Sequence, residues 1–205
     1  MGGFYIGRER KARKAYGFDE VALVPGRKTL DPNDVDINWK IGDLTFSTPI
    51  LASAMDGVVD TNFAIQMGKL GGLAVLNLGG VQTRYDDPAK VIEEIVYSSP
   101  EESVETIQRI YRAPIKEELI EERIKEMKKA EIPVAVSCIP QQALRFAPIA
   151  EEAGADIFVV QATVVTTEYF SSRNEKLDFS KFCRQLSIPV IVGNCVIYET
   201  AYDLM

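Results

Sequence analysis

The chain has 205 residues, enough for one sizeable core. Apolar residues make up 46% of it and charged residues 26%, the balance of a folded domain rather than a disordered one. A formal net charge of −7 excludes a broad nucleic-acid-binding surface, and no apolar run approaches the ~20 residues of a membrane span.

The first residues, "MGGFYIGRERKARKAYG", hold no apolar signal core, so a cytoplasmic protein is expected. Their basic cluster, Arg8, Arg10, Lys11, Arg13 and Lys14, reads as a solvated, mobile arm. The chain contains no His, so imidazole is absent as a base. Its three cysteines, Cys138, Cys183 and Cys195, lack metal-site spacing and are odd in number, which fits a reducing compartment.

Five short apolar runs follow along the chain: "PILASA" (49–54), "GLAVLNL" (72–78), "PVAVSC" (133–138), "DIFVVQA" (156–162) and "PVIVGN" (189–194). Each is nearly continuous in apolar residues and ends in small or polar ones, the pattern of a strand buried on both faces. Helical text lies between them. Asp60 is placed to cap a helix carrying Phe63, Ala64, Met67 and Leu70 and closed by Gly71–Gly72. The run 116–130 sets Ile120, Ile124 and Met127 on one face, with a Glu121–Lys125 pair on the other. The run 141–156 is a further helix ending at Gly154, which Pro148 is expected to kink or divide.

Alternating strands and helices mean parallel strands with right-handed crossovers, in a doubly wound sheet or a (β/α)₈ barrel. No G-x-G-x-x-G loop follows the first strand, which favours the barrel. In either fold, ligands meet the C-terminal ends of the strands. Ser53, Met55 and Asp56 stand at such an end.

At this point "YGFDEVALVPG" (16–26), "DPNDVDI" (31–37), "STPILASAMDGVVD" (47–60) and "GGLAVLN" (71–77) resemble the opening of the IMP dehydrogenase and GMP reductase family. "AGADIFVVQATVV" (153–165) and "IPVIVGNCV" (188–196) resemble its fourth and fifth barrel strands. The resemblance implies an α/β fold, a (β/α)₈ TIM barrel, of which residues 1–205 hold the N-terminal segment and about the first five strands. It implies a single domain, apparently truncated at its C-terminal end and without inserted CBS modules, since 79–132 leave room only for helical text such as "DPAKVIEEIV".

The implied activity is purine nucleotide oxidoreduction. In IMP dehydrogenases a Cys thiolate attacks IMP, hydride passes to NAD, and the thioimidate is hydrolysed to XMP. GMP reductases take GMP to IMP with NADPH. The implied ligands are therefore IMP or GMP and NAD or NADP, with a monovalent cation by family resemblance and a homo-tetramer as the common assembly. Ser53, Met55 and Asn194 match substrate-binding positions, and Gln161, Ala162 and Thr163 match the place of the cofactor's nicotinamide riboside end. There the usual Asp–Ser–Ser is replaced, so Gln161 brings no charge. None of the three cysteines matches the catalytic motif; Cys183 reads as a helix residue and Cys195 as a packed core thiol. The 205-residue chain alone is therefore expected to be inactive. The alternative from another class is a non-catalytic half-barrel that binds a nucleotide or a partner chain. A flavin-dependent phosphate-binding barrel leaves "GFDEVALVPG" unexplained.

Overall fold

The computed structural model describes residues 4–8, 10–12, 14, 16–169 and 177–205. Two compact units divide the chain, residues 1–36 and 37–205. In the first, β1 (Phe4–Ile6) pairs antiparallel with β2 (Arg10–Ala12) around Gly7, whose φ of 65° is the left-handed conformation glycine tolerates. Arg10 and Lys11 thus belong to a strand, where a mobile arm is the sequence expectation, and Arg13 lies outside the described residues. Two 3₁₀ turns follow, Phe18–Glu20 and Pro32–Asp34, the second capped by the Asp31 carboxylate on the Asn33 N–H.

The second unit opens with a hairpin, β3 (Trp39–Ile41) and β4 (Leu44–Phe46), turned at Gly42 and Asp43. Next come β5 (Leu51–Ala52), α1 (Thr61–Lys69), β6 (Leu73–Asn77), α2 (Pro88–Tyr97), α3 (Ser103–Tyr111), α4 (Glu117–Lys128), β7 (Ala135–Cys138), α5 (Pro140–Ala153) and β8 (Ile157–Gln161). A short antiparallel pair, β9 (Glu168–Tyr169) and β10 (Leu177–Asp178), precedes α6 (Phe179–Gln185), β11 (Val190–Gly193) and α7 (Tyr198–Leu204). The five strands of the main sheet run parallel in the order β11-β8-β7-β6-β5, a sequential half-barrel of an α/β fold. It is the arrangement of a partial TIM barrel.

Each helix has a local cause. Asp60 accepts the Phe63 N–H at 2.6 Å and starts α1. Asp87 and Pro88 together start α2. α4 buries Leu119, Ile120, Arg123, Ile124 and Met127, and Lys125 bonds Glu121 at 2.7 Å on the outer side. α5 ends at Gly154 with φ 101° and runs unbroken through Pro148. Pro148 sits on the exposed face, so water can satisfy the carbonyl it leaves unpaired, while Ala143, Phe146, Ala147 and Ala150 hold the opposite face in the core.

Side-chain alternation splits the core into two layers. Ala74, Leu76, Val134, Val136, Cys138, Phe158 and Val160 face the helices. Leu73, Val75, Ala135, Ile157 and Val159 face the barrel interior, where Phe46 packs on them with Trp39 and Ile191. The β3–β4 hairpin lies across the N-terminal ends of the strands. Thr48 N–H bonds the Gly71 carbonyl at 3.0 Å near the start of β6, and a Cβ on Gly42 would stand 2.9 Å from Pro189 Cγ at the start of β11. The interior therefore has an aromatic floor, and its open side is the C-terminal end of the sheet.

Candidate active-site rim

Parallel register sets which side chains share the open end. Asn77 pairs with Ser137, and Ser137 with Val159. One step higher, Gln161 pairs with Gly193. Asn77, Ser137 and Gln161 continue the inward positions of Val75, Ala135 and Val159, so an apolar interior gives way to neutral polar groups at the rim. Asn77 is engaged: its Oδ1 accepts the Gly79 N–H at 2.9 Å and its Nδ2 donates to Asp56 at 3.4 Å. The Gln161 amide makes no side-chain hydrogen bond among the described residues and is half-buried.

The loop after β5 carries the first group of expected site residues. Ser53 is exposed, and Met55 is 57% exposed. The Met55 N–H bonds the Ser53 carbonyl at 2.8 Å, and the Met55 carbonyl accepts the N–H groups of Val58 and Val59, both at 2.9 Å. Asp56, left without a role in the sequence reading, accepts the Val81 N–H at 3.0 Å and also receives the hydroxyl of Tyr111. Burial and the Asp56 carboxylate together push the Tyr111 phenol well above its ordinary range.

Gln161, Thr163 and Asn194 form the second group, on β8 and the loops after β8 and β11. The main chains of Ala162, Gly193 and Asn194 are stitched together by Ala162 N–H to Gly193 O at 2.9 Å and Asn194 N–H to Ala162 O at 3.0 Å. Asn194 and Thr163 are exposed. The Ala162 methyl packs against the helix layer, so only its backbone belongs to the rim. The two groups stand on the same side of the sheet with β6 and β7 between them.

The cysteines take no part in the rim. Cys138 alternates outward into the helix layer, and burial drives its thiol well above the usual range. Cys183 lies in α6 as expected, with its thiol also raised by burial. Cys195 corrects the expectation of a packed core thiol: it is exposed, because it lies beyond the end of β11 rather than within the strand. Both line a cavity of about 860 Å³ outside the sheet, bordered by Val190, Val192, Phe179 and Ala201. Among the described residues, no three Cys, Asp or Glu side chains converge as a cation site, and no helix is long and apolar enough to cross a membrane.

A parallel half-barrel with an aromatic floor and a neutral polar rim defines the ligand-binding side of a (β/α)₈ protein. The sequence matches the IMP dehydrogenase / GMP reductase domain over residues 15–205. The chain belongs to that family. It is 35% identical to an uncharacterized oxidoreductase of Mycobacterium tuberculosis over 205 residues, which cover 98% of this chain and 55% of the relative. An inosine-5'-monophosphate dehydrogenase of Korarchaeum cryptofilum is 34% identical over 106 residues, 48% of this chain and 22% of that protein. The crystal structure of an IMP dehydrogenase/GMP reductase-like protein from Corynebacterium glutamicum superposes with a TM-score of 0.89 at 33% identity, covering 97% of this chain and 53% of that one. The chain thus spans about half the length of the curated relatives it matches most fully.

Proposed function

We propose that residues 37–205 form one half of the nucleotide-binding barrel of a purine nucleotide oxidoreductase that converts IMP to XMP. The observation that carries the reading is the rim itself. Ser53 and Met55 stand on one side and Gln161 and Asn194 on the other, above an interior without formal charge. A hydroxyl suits a ribose or phosphate oxygen, and a thioether offers a soft apolar surface to a purine face. The half-buried amide of Gln161, without a side-chain hydrogen bond among the described residues, fits the neutral polar end of a nicotinamide nucleotide; NAD or NADP, when bound, supplies the hydride acceptor or donor. Gln161 and Thr163 orient that end, and the apolar floor keeps water from the reacting face. The attacking thiol in this reading is none of these three cysteines, since Cys138 faces the helix layer and Cys183 and Cys195 line a cavity outside the sheet. The three helices between β6 and β7 stand in place of CBS modules, and the protein works as a cytoplasmic homo-oligomer.

Calorimetric titration of the full-length gene product with IMP, XMP and GMP tests this. Ser53→Ala should weaken binding by about 0.5–1.5 kcal/mol, the worth of one hydrogen bond, with more if the oxygen it meets is charged. Met55→Ala should weaken it comparably, and both variants should melt within a few degrees of the parent. Unchanged affinity in both returns these residues to a structural role. Turnover with GMP and NADPH, but not with IMP and NAD, would make the enzyme a reductase.

A further inference from the structure

We infer that the Asp56–Tyr111 pair is a latch, and that through it the 79–113 excursion positions Met55 for the nucleotide. This rests on the nucleotide reading of the rim. The observations concern a carboxylate that follows the site residue directly in sequence. Asp56 gathers donors from separate parts of the fold: the Val81 N–H, the Asn77 amide and the Tyr111 hydroxyl. Met55 has no such anchor of its own. Its side chain is exposed, and its backbone is held by local bonds, the Met55 N–H to the Ser53 carbonyl and the turn from Met55 to Val59. The direction in which Met55 points is therefore set by where Asp56 is held.

The other side of the latch is braced. Arg84 donates to the Gly79 carbonyl from Nε at 3.2 Å and from Nη2 at 3.0 Å, and it also donates to the Ala113 carbonyl. Its guanidinium lies 5.6 Å from the centre of the Tyr111 ring. Tyr85 Oη donates to the Ile110 carbonyl at 2.9 Å. Arg123, buried under the same loop, donates to the carbonyls of Gln82, Tyr85 and Asp86. The loop 79–86 and the end of α3 thus move as one piece, and Tyr111 presents that piece to Asp56. Gly80 shows how close the approach is: a Cβ there would overlap the Asp56 carboxylate. Asp56 is spent on this contact, so it is a positioning residue and not a base.

The test uses three variants of the full-length gene product. Tyr111→Phe removes one hydroxyl outside the ligand rim. Asp56→Asn replaces an acceptor oxygen with a donor that opposes the Val81 N–H or the Tyr111 hydroxyl. Gly80→Ala displaces the carboxylate from the opposite side. Each should raise KM for the nucleotide by roughly threefold to tenfold, the loss of about one hydrogen bond, with kcat changed less than twofold. Amide exchange at Val58, Val59 and Val81, which needs no nucleotide, should speed up in Tyr111→Phe at an unchanged melting temperature. Unaltered exchange at all three amides overturns the latch, whatever the enzyme binds. Faster exchange with an unaltered KM in Tyr111→Phe overturns its role in positioning. A parent protein that binds no purine nucleotide defeats the reading of the rim and, with it, the positioning role.

Discussion

Replacing Phe46 by Ala should be among the more damaging single changes in the second unit. Phe46 is 2% exposed and packs on the interior side chains Leu73, Val75, Ala135, Ile157 and Val159. It also stacks on Trp39, with ring centres 4.3 Å apart and 18° between planes. Truncating a buried Phe costs about 3–5 kcal/mol, of which about 0.5–1.5 kcal/mol belongs to the aromatic pair. The upper end applies if the site cannot collapse. The floor spans several strands, and the indole N–H of Trp39 is tied to the Thr48 carbonyl at 2.8 Å, so Trp39 cannot simply drop into the gap. Trp39 is the one tryptophan in the chain, so its fluorescence reports the floor without added labels. Equilibrium urea unfolding followed at Trp39 should give a lower midpoint with little change in slope. Phe46→Leu, which retains most of the volume, should lose about 1.5 kcal/mol or less. A loss in Phe46→Ala below about 1 kcal/mol would refute the idea that the hairpin closes the barrel interior.

Thiol labelling of the native chain should modify Cys195 and, more slowly, Cys183, whose thiol is raised by burial, and should leave Cys138 untouched until the protein unfolds; native labelling of Cys138 would contradict its place in the helix layer. The 205-residue chain by itself should self-associate, because among the described residues β5 and β11 each pair on one side only and Ile50 and Leu51 are exposed at one edge; a compact monomer at all micromolar concentrations in sedimentation velocity would count against this.

The central strands were legible because they are buried on both faces, while the edge strands β5 and β11 are only partly buried and were read from their apolar runs. Leu73–Leu76 and Ala135–Cys138 are buried without interruption, and a continuous apolar run is the direct mark of that. Their order needed no more than the alternation with helices. The β3–β4 hairpin escaped notice although Trp39, Ile41, Leu44 and Phe46 flank a Gly–Asp turn at period two. Each arm is three residues long, below the length at which alternation stands out. α3 escaped for another reason. Val104, Ile107, Ile110 and Tyr111 do recur at helical spacing, but the segment is short, only Ile110 of the four is buried, and the helix is held by the contacts of Tyr85 and Tyr111. Asp56 lay in plain view beside Met55, but its partners Val81 and Tyr111 are 25 and 55 residues away. A carboxylate's role cannot be read from its neighbours when its donors come from a loop and a helix far along the chain. The expectation for Cys195 came from how often free cysteines are buried, and its position one residue past Asn194 outweighed that tendency.

The charge distribution of the barrel interior bears on what this half of the site recognises. The inward side chains of the main-sheet strands β6, β7, β8 and β11 are apolar or neutral: Leu73, Val75 and Asn77, then Ala135 and Ser137, then Ile157, Val159 and Gln161, then Ile191. Ser53 and Met55, beyond β5, are neutral as well. Asp56 is committed to Val81 and Tyr111, and Arg84 to Gly79 and Ala113. Among the described residues, the inward positions of these strands carry no cation, and charge-assisted bonds are what hold phosphates firmly. Neutral amides and hydroxyls above an apolar floor suit a flat, uncharged ring with hydrogen-bonding edges. On the proposed reading, such a rim would meet the base and sugar of a nucleotide and a carboxamide. On that reading Ser53 meets a ribose or phosphate oxygen as a neutral donor, and the cationic phosphate contacts lie outside these residues. An uncharged Gln161, where the resemblance places an acid, fits that reading, because the described inward side chains include no cation for a carboxylate to pair with.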